Sequence, residues 1–128
     1  GIGSAKLAAD LLQLRLTAWG YSEIRPDCLR LLSLTWPDAV AFPPVAAIAQ
    51  SHLCELWSGA PRAKHLIIAA GSPCQGMSAA NADGRGLLDE RSALIRDVPR
   101  IIALAELAMP GVYIHWMVEN VFSMTYAK

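Results

Sequence analysis

One segment organises the predicted structure of this chain, namely His65-Leu66-Ile67-Ile68-Ala69-Ala70-Gly71-Ser72-Pro73-Cys74-Gln75-Gly76-Met77-Ser78. After His65 it forms an apolar run of strand length, and Gly-Ser-Pro ends that run abruptly, which predicts a fully buried strand. Ligands of open α/β sheets bind at the carboxyl ends of the strands. Pro73 keeps Ser72 out of helical conformations, and the flanking glycines allow tight turns. The sequence therefore predicts a loop that presents Cys74 at this end of the strand.

Ordinary cysteine chemistry offers other interpretations of Cys74. An unpaired cysteine usually behaves as a small buried hydrophobe, but a position after proline in a glycine-flanked loop favours a presented thiol. Cys28, Cys54 and Cys74 are 26 and 20 residues apart and form no C-x-x-C pair, so we expect no zinc site. A thiol-redox loop remains an alternative, although it lacks a nearby resolving cysteine. The scattered cysteines point to a reducing compartment.

Length and composition indicate one compact domain. The chain has 128 residues, 54% of them hydrophobic, and its 11 acidic residues balance its 11 basic ones. This balance gives the chain no excess positive charge for binding a polyanion, so any binding of nucleic acid must depend mostly on regions outside this chain. The longest apolar stretch, residues 39–49, contains Pro43 and Pro44 and is too short to span a bilayer, so we expect no membrane partner. Because the chain starts at Gly1 without an initiator Met, we expect it to be a fragment.

Apolar periodicity alternates between helix and strand along the chain. Helical spacing predicts helices over residues 4–16, 26–37, 45–57 and 92–108, the last kinked at Pro99. Short runs of β-branched and aromatic residues predict strands over residues 17–23, 38–42, 112–118 and from residue 65. Such alternation predicts βαβ units, a parallel sheet and right-handed crossovers. Because a strand should precede Gly1, we expect the sheet to lack its first, central strand.

Two features near the amino end are typical of nucleotide sites. Gly1-Ile2-Gly3 leads into a helix, where glycines leave room for a cofactor near the backbone and the positive end of the helix dipole. Glu23 follows a strand 20 residues beyond Gly3, the offset at which such sites place an acid for the ribose hydroxyls. An ordinary glycine-containing loop and a solvated glutamate are the alternatives, and the spacing alone leaves them open.

Two short motifs resemble those of one enzyme family. Gly71-Ser72-Pro73-Cys74-Gln75-Gly76 and, after a helix, Glu119-Asn120-Val121 closely resemble the signatures of the cytosine-5 DNA methyltransferases. Residues 86–94 are similar to a further segment of the family, and residues 36–39 look most like its eukaryotic de novo branch. The resemblance implies an α/β fold, the Rossmann-like fold of S-adenosylmethionine-dependent methyltransferases, with a mostly parallel sheet and helices on both faces. Residues 1–128 would form a partial catalytic domain without its first strand and C-terminal part.

The resemblance also implies a mechanism and a set of site residues. Cys74 would add to C6 of a flipped cytosine, and Glu119 would bind N3 and neutralise the charge that develops on the ring. The activated C5 would then take a methyl group from S-adenosylmethionine. The residues implied to bind the base are Pro73, Gln75, Ser78, Asn120 and Val121. The residues implied to bind the methyl donor are Gly1, Ile2, Gly3, Glu23, Ile24 and Leu94. No metal is implied.

DNA is the implied partner, held largely by regions that the chain lacks, and the family also implies homo- or hetero-oligomers with related methyltransferases. The implied location is the nucleus of a eukaryote and otherwise the cytoplasm. We predict that residues 1–128 alone neither methylate DNA nor bind it tightly.

Two relatives of that family are alternative interpretations. The transfer-RNA cytosine methyltransferases share Pro-Cys-Gln and Glu-Asn-Val, although Gly76-Met77-Ser78 looks more like the DNA enzymes. A catalytically silent regulatory relative would have no chemical need of Cys74 or Glu119. One departure keeps that alternative open, because Phe42-Pro43-Pro44-Val45 stands where the family often has an Asp that holds the adenine amino group.

Overall fold

Helices and strands alternate along the chain, as the periodicity predicted. The structure is a computed structural model that describes residues 3–71 and 94–119. Its helices and strands are α1 Ser4–Leu11, β1 Gly20–Ser22, α2 Pro26–Thr35, β2 Val40–Phe42, α3 Gln50–Ser58, β3 His65–Gly71, α4 Asp97–Ala108 and β4 Tyr113–Glu119. Short 3₁₀ turns at Val45–Ala47 and Leu94–Arg96 precede α3 and α4. The protein is therefore a mixed α/β protein.

The strands of the described residues form two parallel pairs rather than one continuous sheet. β1 pairs with β2 from Gly20 opposite Val40 to Ser22 opposite Phe42. β3 pairs with β4 over seven residues, from His65 opposite Tyr113 to Gly71 opposite Glu119. Parallel strands need a crossover between them, and α2 and α4 lie in the two crossovers that join paired strands.

The first helix is shorter than the sequence predicts. Its apolar pattern continues to Leu16, but α1 ends at Leu11 because Gln13 adopts a left-handed conformation with φ of 56°. The backbone N–H of Leu14 donates to the carbonyl of Ala9, and that of Gln13 donates to the carbonyl of Asp10. These two bonds form a Schellman cap, which ends a helix wherever a residue accepts the left-handed conformation.

Prolines lie at or near the starts of three helical segments. Pro26 is the first residue of α2, where its missing N–H would have no helical partner. Pro44 precedes the 3₁₀ turn, and α3 begins only at Gln50 rather than at Val45. The expected kink at Pro99 is wrong, because Pro99 is the third residue of α4 and lies in the first turn. A proline there displaces no helical hydrogen bond.

The core lies between α3 and α4 on one side and the strands on the other. Its most buried members are Ile48, Leu53, Ala105 and Met109, and partly buried side chains of both strand pairs, including Phe42, Leu66 and Ile114, pack against them. Arg100 of α4 closes this core at one end. Its guanidinium donates to the carbonyls of Ile48 and Val45 at 2.6 Å each and to Asp97 Oδ1 at 2.8 Å.

β3 is only half-buried, so the expected fully buried strand is wrong. Burial alternates along it, and Ile67 is 55% exposed. The same alternation places Leu66 and Ile114 on the face that packs against α3 and α4. The opposite face of this pair is uncovered within the described residues, and Tyr113 and Met117 are 68% and 61% exposed there.

A cluster of tryptophans joins α1, α2 and the segment before β1. The rings of Trp19 and Trp36 meet edge to face with centroids 5.2 Å apart. The Lys6 ammonium lies 5.8 and 5.9 Å from their centroids and is paired with Asp10. This cation–π arrangement fixes α1 beside the end of α2. In residues 3–71 and 94–119 no helix has the length and hydropathy needed to cross a membrane.

Candidate active site

The carboxyl ends of β3 and β4 bring Glu119 beside Gly71, which precedes Cys74 by three residues. Parallel pairing puts Glu119 opposite Gly71, the residue that leads into Ser72-Pro73-Cys74. The Glu119 carboxylate oxygen Oε2 lies 3.3 Å from the position that a Cβ on residue 71 would occupy. Glycine at 71 thus leaves room for this carboxylate, which lies over the backbone where the loop begins.

The alternation of side chains along both strands explains this placement. Ala70 and Val118 are the half-buried neighbours of Gly71 and Glu119, and they belong to the face that packs against α4. The next residue of each strand must point the other way. Glu119 is therefore exposed on the uncovered face. Burial of its carboxylate without a counter-ion would be costly.

Glu23 follows β1, and its carboxylate is ordered by the backbone. Its Oε1 accepts hydrogen bonds from the backbone N–H groups of Ile24 at 2.7 Å and Arg25 at 3.0 Å. Partial burial raises the pKa of Glu23, but hydrogen bonds and charge interactions, those with the backbone N–H groups of Arg25 and Ile24 among them, outweigh burial and hold the pKa below its ordinary value. The side chain is thereby held as a charged acceptor, and the neighbouring Ile24 is 67% exposed.

Packing requires a glycine at position 3, which the sequence alone does not reveal. It adopts φ of 84°, a left-handed conformation that favours glycine, and it precedes the first residue of α1. A Cβ at this position would collide with the ring of Trp36 and would lie 3.0 Å from Leu32 Cδ2. Glycine is therefore needed here for the contact between α1 and α2, whatever else it admits.

The other predicted site residues are placed as follows. Leu94 opens the 3₁₀ turn before α4. Glu23 follows β1 and Glu119 ends β4, and these two strands belong to different pairs. The predicted residues that lie outside the described ranges are Gly1, Ile2, Pro73, Cys74, Gln75, Ser78, Asn120 and Val121.

Two open grooves lie on the described surface. One, of about 440 Å³, runs between α4 and β4 and is lined by Val98, Ile102, Trp116 and Val118 among others. It ends beside Val118, the residue before Glu119. The other, of about 570 Å³, lies beside Trp19 and Trp36 and contains no predicted site residue.

Sequence reasoning missed one side-chain pair. His65 Nδ1 and His115 Nε2 lie 2.9 Å apart across β3 and β4, although the residues are 50 positions apart in sequence. Only the strand register brings them together, so no local spacing could have revealed them. No group of three or more His, Cys, Asp or Glu side chains suited to a metal ion occurs in the part of the chain that the structure describes.

Comparison with known proteins adds no relative, since no family model and no curated protein matches the chain. The functional interpretation therefore depends on the motifs and on the geometry of the strand ends.

Proposed function

We propose that this chain forms the part of a cytosine-5 DNA methyltransferase that carries the nucleophile and the acid of the reaction. The position of Glu119 carries this proposal. Its carboxylate lies against Gly71, so the proposed acid stands where the loop of the proposed nucleophile begins. Three peptide units join Gly71 to Cys74, which limits the distance between their Cα atoms to about 11 Å. This limit allows the thiol and the carboxylate to reach one pyrimidine ring.

The chemistry needs these two groups together. Cytosine C5 is a poor nucleophile, so the thiolate of Cys74 first adds to C6 and pushes electrons toward N3. The carboxyl group of Glu119 neutralises N3 as that charge develops, which makes C5 an enamine carbon. C5 then forms a bond to the methyl group while the bond between that methyl group and the donor's sulfonium sulfur breaks, and the sulfur would leave as a neutral thioether with the electron pair. Loss of the C5 proton to a base returns the electron pair, breaks the C6–S bond and restores the aromatic ring.

S-adenosylmethionine would supply the methyl group as an electrophilic sulfonium methyl. The described residues fit such a donor at one point. Glu23 holds an ordered carboxylate with a lowered pKa, the acceptor that two ribose hydroxyls require, beside the exposed apolar Ile24. At the position where the family often has Asp, Pro43 and Pro44 supply only carbonyl acceptors. One of these, the Pro43 carbonyl, accepts a hydrogen bond from Ser22 Oγ at 2.8 Å.

The division into two parallel strand pairs also supports the proposal. In the family's fold a central strand lies between two such pairs. An isolated pair of strands is marginal in water, and here both pairs are held through the core of α3 and α4. We infer that β1 and β3 correspond to the strands on either side of that central strand in the family's fold.

Methyl transfer by the natural polypeptide that contains residues 1–128 tests the proposal. It is incubated with S-adenosylmethionine labelled in its methyl group and with either duplex DNA or transfer RNA. We expect label in DNA, its loss in Cys74→Ala, and unchanged activity in Cys54→Ala, which removes an exposed thiol on α3.

Two outcomes would contradict the proposal. Label in transfer RNA alone would assign the chain to the RNA branch. Binding of S-adenosylmethionine without transfer to either nucleic acid would favour a silent relative.

A further inference from the structure

The histidine pair on the uncovered face of β3 and β4 forms a group of its own. His65 begins β3 and His115 is the third residue of β4, and the parallel register sets them on the same face. Both are exposed, and the ring of Tyr113 also stacks with that of His65, with ring centroids 5.4 Å apart. The pair lies about 20 Å along β3 from Gly71, at the opposite end of the strands. It is separate from the proposed methyl-transfer site and does not rest on it.

One nitrogen of each imidazole faces a nitrogen of the other. His65 Nδ1 and His115 Nε2 are 2.9 Å apart, and the ring planes are 29° from parallel. In the neutral pair one nitrogen donates its proton to the other. Each neutral ring has a second tautomer that moves its proton to the outer nitrogen. If the donor ring adopts that tautomer, the two facing nitrogens both carry lone pairs. A cation can then bind between them in place of the hydrogen bond, and neither ring has to lose a proton.

The separation of the nitrogens can be compared with the coordination geometry of transition-metal ions. Imidazole nitrogens bind Zn²⁺, Ni²⁺ and Cu²⁺ at about 2.0–2.1 Å. Two such ligands at a right angle lie about 2.9 Å apart, whereas the tetrahedral angle of Zn²⁺ separates them by about 3.3 Å. The 2.9 Å between His65 Nδ1 and His115 Nε2 is a hydrogen-bond distance that also equals this right-angle separation, so the two rings need move little to hold Ni²⁺ or Cu²⁺. Because both rings are exposed, they can turn toward a shared ion without disturbing the core.

We propose that His65 and His115 form a two-imidazole site for a divalent transition-metal ion of the Ni²⁺ and Cu²⁺ class, with water in the remaining coordination positions. The ion would join β3 to β4 at the ends where the strands begin. Its binding would stabilise the folded chain, because the two histidines are held together only when the strands are paired.

Calorimetric titration of the 128-residue chain with Ni²⁺ at neutral pH tests this site. We expect one ion per chain and at least tenfold weaker binding in both His65→Gln and His115→Gln. His52→Gln is the matched control, because His52 is the third histidine of the chain and lies on α3, where its Nδ1 accepts the Ala49 N–H. It should bind Ni²⁺ as the wild type does.

Thermal unfolding gives a second readout on the same variants. Ni²⁺ should raise the melting temperature of the wild type and of His52→Gln but not of His115→Gln. The proposal is overturned if the wild type binds no Ni²⁺, if neither His65→Gln nor His115→Gln weakens binding, or if His52→Gln weakens it equally. Circular dichroism of each variant identifies any that does not fold, and the other variant of the pair then decides.

Discussion

Adding one methyl group at Gly71 should displace the carboxylate that the proposed reaction needs. Gly71→Ala places a Cβ 3.3 Å from Glu119 Oε2, closer than the ordinary contact of about 3.4–4 Å. The backbone of residue 71 is not left-handed, and alanine suits a strand better than glycine does. The fold should therefore persist while the carboxylate moves by a few tenths of an ångström.

That small movement sets the size of the effect. A misplacement of 1 Å in a catalytic group costs about 100-fold, so one third of that distance costs about 1 kcal/mol, or about fivefold in rate. Complete removal of the acid in Glu119→Gln should cost about 10²- to 10⁴-fold. We expect Gly71→Ala to lower kcat of DNA methylation by about fivefold, with KM for DNA changed less than twofold.

Steady-state methylation by the natural polypeptide measures this effect. Gly59→Ala is the matched control, because its Cβ would lie 3.4 Å from the Leu56 carbonyl in a right-handed turn after α3. It should leave kcat unchanged. Wild-type activity in Gly71→Ala, with Glu119→Gln inactive, would refute the close approach of the carboxylate to residue 71. Wild-type activity in Glu119→Gln would refute the role of the carboxylate.

Three further predictions concern stability. Arg100→Ala should lower the free energy of unfolding by about 2 kcal/mol, because it removes the guanidinium that donates hydrogen bonds to two carbonyls at the core. Urea denaturation measures this loss against the exposed control Arg30→Ala. Equal midpoints for the two variants would contradict the prediction. Gly3→Ala should cost about 1–3 kcal/mol, since alanine resists φ of 84° and meets Trp36, whereas a gain in stability would contradict that contact. Hydrogen bonds hold the pKa of Glu23 below 4.5 against the opposing effect of burial, and the Arg25 partner holds the pKa of Asp27 below 3.8. These two carboxylates stabilise the folded chain at pH values above their ordinary pKa, and this stabilisation is lost as the pH falls through their lowered pKa. The urea midpoint should therefore decrease as the pH is lowered from 4.5, and it should decrease less steeply in Glu23→Gln.

The sequence predicted the site-bearing strands because their patterns are strong. The apolar run after His65 and the run before Glu119 are both strands, and the structure pairs them in parallel. The motif-based expectation that Glu119 lies near the cysteine loop depends on that register, which no local pattern specifies. The contact between Glu119 and Gly71 is therefore information that only the structure supplies.

Other features depend on tertiary contacts or on backbone conformations that composition does not encode. The end of α1 depends on the left-handed Gln13, a conformation that sequence patterns seldom assign to glutamine. The half-exposed β3 looked buried because its residues are apolar on both faces. The bond between His65 and His115 joins residues that only the sheet brings together.

Covalent trapping on DNA can identify the nucleophile of the proposed reaction. Duplex DNA containing 5-fluorocytosine is incubated with S-adenosylmethionine and the natural polypeptide, and the linked peptide is identified by mass spectrometry. Fluorine at C5 cannot leave as the proton does, so the thiol that adds to C6 remains bound to the base. We predict an adduct on Cys74 that disappears in Cys74→Ala and forms more slowly in Glu119→Gln. An adduct on Cys54, or none with DNA bound, would contradict the assignment of Cys74 as the nucleophile.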